Sequence, residues 1–326
     1  MDAQLAPAEV ARALVNTAPE LARDRAQALL TWLTYPEARS VAERAYALAV
    51  KELGATGPAA VHLRRAVRIA ERAGLDVRAA EARASLVVVL AERGHTDAAL
   101  READLAAPTL RGGAAGRLLI QRSLVLQRMG RLDDALRGYR EALPLVRQAG
   151  DVEYECLGLL RRGTLHAYQG NHAGAARDLQ LCADLARRHE LPLIHSFALH
   201  NLGFAAFMRG ELPEALALMD AGDEAKREIG RPDAVPLLDR AAVLVAAGLG
   251  AEATEAASRA CEQLAGDGFA SDLAEARLSL ASAALLVVVN DLAATDLYPC
   301  DPSVSGPYAF AQNVFAQNVF AQNVFA

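Results

Sequence analysis

The chain has 326 residues, enough for two ordinary domains or one elongated array, and 53% of them are apolar while only 5% are aromatic. Alanine supplies much of the apolar content, which suits close helix packing better than a sheet, where β-branched and aromatic residues concentrate. A formal charge of −6 and a pI near 5.7 argue against a surface dedicated to nucleic acid or to an anionic membrane.

The amino-terminal run MDAQLAPAEVARALVN lacks a basic segment followed by a continuous apolar one, so no secretory signal is expected. Residues 1–39 hold two short helical patterns ending near Tyr35-Pro36, read as an N-terminal helical cap, with Pro36 suited to the start of the next helix. From residue 40 a repeat takes over. Gly54, Gly94, Gly130, Gly170, Gly210 and Gly248 each follow a helical pattern and precede a new amphipathic run, 36–40 residues apart. Five residues after each stands an alanine: Ala59, Ala99, Ala135, Ala175, Ala215 and Ala253. Seven residues before the glycine come the small residues Ala47, Ser123, Gly163, Gly203 and Ala241, with Val87 the exception, and twelve after it Ala66, Ala106, Ala142, Cys182, Gly222 and Ala260. A glycine can take the left-handed conformation that ends a helix, and small residues at fixed offsets let two helix backbones approach. The pattern describes one helical hairpin, repeated six times.

Gly112-Gly113, Gly150 and Pro192 fall where gaps between hairpins are expected. Arg122, Arg162 and Arg240 occupy a first-helix position that would be apolar, so each must snorkel or be paired between helices. A further helix is expected over 272–289, covering the last hairpin. Residues 291–326 lose the helical period and close on three copies of Phe-Ala-Gln-Asn-Val, a low-complexity segment read as disordered or as an out-of-frame end. The longest apolar stretch, 283–289, is far short of the roughly 20 residues that span a bilayer. The expected compartment is the cytoplasm, which suits four cysteines with no paired spacing.

The stretches RMGRLDDALRGYREAL (128–143) and HNLGFAAFMRGELPEAL (200–216) resemble the tetratricopeptide repeat (TPR). Gly130 matches its turn glycine, Ala135 its contact alanine, Tyr139 its aromatic and Ala142 its second small residue, while Asn201-Leu202-Gly203 match the first-helix signature. The resemblance covers roughly residues 40–290 and implies an all-α fold, a right-handed α-solenoid of about six hairpins plus capping helices. It also implies that first helices line a concave groove. At the groove offsets stand Leu157, Leu160, Arg161, Thr164 and Tyr168 in the fourth hairpin, and Phe197, His200, Asn201, Phe204, Phe207 and Met208 in the fifth. Such a stretch would take an apolar helix or an extended peptide. The Lys and Asn clamp with which some TPR domains hold a C-terminal carboxylate is missing, since Ala84, Ile120, Leu160 and Leu238 stand at one of its offsets.

No catalytic or phosphate-binding motif occurs, and GGAAG (112–116) lacks the lysine and preceding strand of a phosphate loop. His195 and His200 lie five apart on one helix, on different faces, and Cys182 sits at a small-residue packing offset. No cofactor, metal site or enzymatic role is expected. LQRMGRLDDALRGYREALPLVRQAGD (126–151), together with 200–216, resembles the repeat half of bacterial proteins that join TPR repeats to a caspase-like CHAT protease domain. That resemblance implies a regulatory module whose partner domain would lie beyond this chain. The alternatives are the sensor region of a signal-responsive transcription regulator, or a free-standing adaptor for a protein or peptide.

Overall fold

Every turn glycine read from the sequence has φ between +71° and +86° in a computed structural model of the chain, which describes residues 2–228, 235–263 and 270–294. Those residues form fifteen α-helices and no strand. At all six turns the amide one residue past the glycine bonds the carbonyl five residues back, as in Arg131 N–H to Leu126 O at 2.9 Å and Asn171 N–H to His166 O at 2.9 Å. That is the left-handed helix ending that releases the chain into the next helix without orphaned carbonyls.

The chain divides into two compact units, Met1–Tyr154 and Glu155–Ala326. In the first, α1 (Asp2–Ala13) and α2 (Pro19–Leu30) pack on α3 (Pro36–Glu52), through a cluster that includes Ala8, Ala26, Leu33, Val41 and Ala45. Then α3 pairs with α4 (Thr56–Arg72), α5 (Asp76–Glu92) with α6 (Thr96–Ala106), and α7 (Gly112–Arg128) with α8 (Leu132–Gln148). The second unit holds α9 (Val152–Tyr168) from Glu155 on, α10 (His172–Arg188), α11 (Pro192–Met208), α12 (Leu212–Glu228), α13 (Val235–Ala246), α14 (Gly250–Gln263) and α15 (Ala270–Ala294). Residues 295–326, most of the expected low-complexity tail, lie outside the described residues.

Ala59, Ala99, Ala135, Ala175, Ala215 and Ala253 are all fully buried, which is why each hairpin closes so tightly. The closeness is measurable at Gly203, where an added Cβ would fall 2.8 Å from the Ala215 carbonyl oxygen and 2.8 Å from Met219 Cγ. Leucine there or at Ala135 would drive two backbones apart. First helices such as α5 and α11 are apolar around most of their circumference because they are covered on several sides, whereas second helices such as α4 and α8 present one apolar stripe.

Two local expectations are refined. The GGAAG segment is the first turn of α7 and not a loop: an added Cβ would meet Ala149 Cβ at 2.6 Å from Gly113, and Val146 Cγ1 at 2.8 Å from Gly116. These glycines seat α7 on α8. The arginines at apolar positions are all ion-paired between helices: Arg122 with Asp104 at 3.1 Å, Arg162 with Asp178 through two bonds at 2.6 and 2.8 Å, and Arg240 with Asp220.

Candidate functional site

All eleven groove residues expected from the sequence lie on α9 and α11 of the second unit, and burial divides them. Leu157, Arg161, Tyr168, Phe197, Asn201 and Met208 are half-buried, with part of each side chain open. Leu160, Thr164, His200, Phe204 and Phe207 are buried. The Thr164 hydroxyl donates to the Leu160 carbonyl at 2.8 Å, one turn back on its own helix.

Phe204 and Phe207, which the sequence places at groove offsets, are 2% and 0% exposed. Phe207 follows Gly203 by four residues, so it continues the stripe of α11 that closes on α12. Phe204 packs its ring on Tyr168 of α9, with centroids 5.2 Å apart and planes tilted by 50°. Their place is in the packing between helices. Tyr168, half-buried, is the outward member of that pair.

Beneath the open residues sits a polar pair that joins α11 to α13. His200 Nε2 lies 2.7 Å from Asp239 Oδ2, and both side chains are more than nine-tenths buried. His200 Nδ1 and Asp239 Oδ1, also enclosed, have no hydrogen-bond partner among the described residues. Close by, the buried ammonium of Lys226 on α12 lies 4.4 Å from the centre of the Phe197 ring, a cation–π contact. Asp223, on the same helix, has its carboxyl raised above the usual range by burial, against the opposing pull of His200, Lys226 and Arg240.

Sequence reading missed Asp239, Lys226 and Asp223. A signal for the first was present: Arg161, Asn201 and Asp239 each stand nine residues before a turn glycine, so one polar residue recurs per hairpin along this face. Nothing local marks Lys226, which reaches Phe197 only because α11 and α12 run antiparallel.

His195 and His200 go separate ways, as their spacing required: His195 Nδ1 lies 3.1 Å from the Ala183 carbonyl oxygen. Cys182 is fully buried, its thiol donating to the Cys156 carbonyl at 3.3 Å. The neighbouring Cys156 thiol, and then burial, push the Cys182 thiol above its ordinary value, the opposite of an activated nucleophile. Among the described residues no group of three or more His, Cys, Asp or Glu side chains could hold a metal ion, and no helix is long and apolar enough to cross a membrane.

Stacked antiparallel hairpins with left-handed turn glycines and small residues at the crossings define the TPR class of helical solenoid, and solved structures agree. The fold is similar to that of a Rap protein solved with competence and sporulation factor, with TM-score 0.66 and 13% identity over 99% of this chain and 96% of that one. It is also similar to a signal-transduction ATPase with a tetratricopeptide-repeat sensor from Pyrococcus horikoshii, with TM-score 0.61 and 15% identity over 96% of this chain but only 47% of that one. The quorum sensor NprR from B. thuringiensis, in its apo form, gives TM-score 0.53 and 14% identity over 87% of each chain. No protein-family model matches the chain. No curated protein matches its sequence.

Proposed function

We propose that the first-helix face of the second unit receives a protein or peptide segment, and that the chain serves as an interaction scaffold or sensor which holds a partner without transforming it. The observation that carries this reading is the half-buried pair Arg161 and Asn201, at the same offset on α9 and α11, flanked by the half-buried Leu157, Phe197, Tyr168 and Met208. These two polar side chains can meet the amides of an extended chain, and the open apolar side chains supply contact area between them. Phe204 and Phe207 act from behind, holding Tyr168 and the α11–α12 seam in place. A protein of this fold has been solved with competence and sporulation factor and another is a quorum sensor, which supports a ligand-holding role here.

The test begins with a displayed library of random peptides of about 12 residues, selected against the full chain. Selected peptides are expected to lose at least tenfold in affinity for Asn201→Ala and for Tyr168→Ala, a change of about 1.4 kcal/mol or more. Helicity should be unchanged. Binders that ignore both substitutions would refute the site.

The sensor reading has two finer forms. The likeness to NprR supports a sensor region serving a signal-responsive regulator. The stretches 126–151 and 200–216 support the regulatory half of a CHAT-type protease system. The gene downstream separates them: a helix-turn-helix coding segment supports the first, and an α/β segment bearing His and Cys supports the second.

A further inference from the structure

The second-helix side of the first unit carries a cleft of about 370 Å³ where α4, α5 and α6 come together. It exists because α6 has 11 residues where α4 has 17, so the shorter helix leaves part of α4 and α5 uncovered. Val67 and Leu86 form an apolar floor, Val61 stands 46% exposed on one wall, and Arg64 and Arg68 rise beside it from α4. Glu102, on the α6 side, is ion-paired to Arg83, as is Glu71 of α4.

That pairing leaves a charge imbalance. Arg64, Arg65, Arg68 and Arg72 are all exposed on α4, and among the described residues none has a carboxylate partner. Arg68 does no more than turn its Nε toward the Arg64 carbonyl at 3.3 Å. Elsewhere arginine is commonly matched, as in the Arg44, Arg78 and Arg83 pairs on neighbouring α3 and α5. Four unmatched guanidinium groups on one helix, beside an apolar cleft, in a chain of net charge −6, make a local surface of opposite sign.

We propose that this cleft is a second docking site, for an acidic amphipathic segment of a partner protein. Arg64 and Arg68 are four residues apart and so share a face, spaced to meet two carboxylates one helical turn apart on the partner, while an apolar side chain between them enters over Val61, Val67 and Leu86. The site lies in the first unit and shares no residue with the proposed groove of the second.

The probe is a fluorescein-labelled helical peptide of about 15 residues, with Leu and Glu at three- and four-residue spacing, titrated against the full chain. A twin in which every Glu is Gln serves as its control, and phosphatidylserine vesicles as the competing surface. The acidic peptide should bind at least tenfold more tightly than its twin, weaken as salt rises, and lose at least tenfold in affinity for Arg64→Glu/Arg68→Glu. The variant should melt with the parent because both side chains are exposed; Arg64→Gln/Arg68→Gln gives the same reading if the reversal disturbs folding. Equal binding of the two peptides, no binding of either, or an affinity indifferent to the arginines would overturn the proposal. So would vesicle binding that depends on Arg64 and Arg68 while the peptide is ignored, since the surface would then address a membrane. Asn201→Ala should leave this binding unchanged, which keeps the outcome separate from that of the groove.

Discussion

In the first unit the open faces of the first helices meet through charge. Arg78 of α5 bonds Glu37 of α3 and Glu9 of α1, each at 2.9 Å, and Glu81 at 3.1 Å, while Arg44 reaches Glu81 at 3.0 Å and the Ser85 hydroxyl at 2.9 Å. In the second unit the same offsets carry different chemistry. Arg44 stands ten residues before its turn glycine, as His200 does; Ser85 stands nine before, as Asn201 does; Glu81 stands thirteen before, as Phe197 does. One face is consumed in its own ion pairs, and the other keeps Asn201, Phe197 and Tyr168 half open above a buried His–Asp pair. The fold tolerates both because its hairpins are fixed at the small-residue crossings, on a different stripe of each helix. What varies on the open stripe is therefore available for function.

The sharpest way to break this comparison is to remove a ring from the second unit. Phe207→Ala should cost about 3–5 kcal/mol, as large-to-small changes of buried aromatics do. Amide exchange should show the loss confined to α11 and its neighbours, because repeats communicate with adjacent repeats. Protection lost equally in α3 and α5 would mean that the two units unfold as one.

Next in size is the buried polar pair. His200→Leu leaves the Asp239 carboxylate enclosed without its partner and should destabilise by about 1.5–3 kcal/mol in urea melts. Replacing both residues with leucine should recover most of that loss, since an apolar pair leaves nothing unsatisfied. If single and double variants melt together, the pair is not what joins α11 to α13.

A smaller gain is expected at Glu190, the one non-glycine residue at positive φ, +54°, among the described residues. It ends α10 where Gly74 ends α4 and Gly150 ends α8, and its amide neighbourhood repeats theirs, with Leu191 N–H bonding Ala186 O at 2.9 Å. Glu190→Gly should stabilise by about 1 kcal/mol, seen as a higher midpoint in denaturant, because a side chain in the left-handed region is strained. An unchanged or lower midpoint would show that the glutamate side chain compensates for the strain.

The smallest effect belongs to the charged face. Arg78→Ala should cost about 0.2–1 kcal/mol, and less as salt rises, since the Arg78 pairs are solvent-accessible and each cross-strut is weak in water. A loss as large as that of Phe207→Ala would erase the distinction drawn between the units.

The fold was legible in the sequence because its signal is repeated: a glycine, then an alanine five residues on, marks each hairpin, and every one of those glycines has positive φ. Glu190 shows the limit of such reading, for a turn without its glycine leaves no mark. The open face was only half legible. Offsets from the turn place a residue on a stripe of its helix, but they do not show how far a neighbouring helix covers that stripe. Offsets alone therefore do not distinguish Phe204 and Phe207 from Asn201, whereas packing does. Side-chain partners such as Asp178 for Arg162, or Asp239 for His200, lie 16 and 39 residues away along the chain, and only the stacking of hairpins brings them together.

The most direct test of the groove proposed on the first helices of the second unit is calorimetric titration of one library-selected peptide into the parent chain, Asn201→Ala and Arg78→Ala. Asn201→Ala should weaken binding at least tenfold, while Arg78→Ala should bind as the parent does. Equal weakening in both variants, or weakening in Arg78→Ala alone, would contradict the groove.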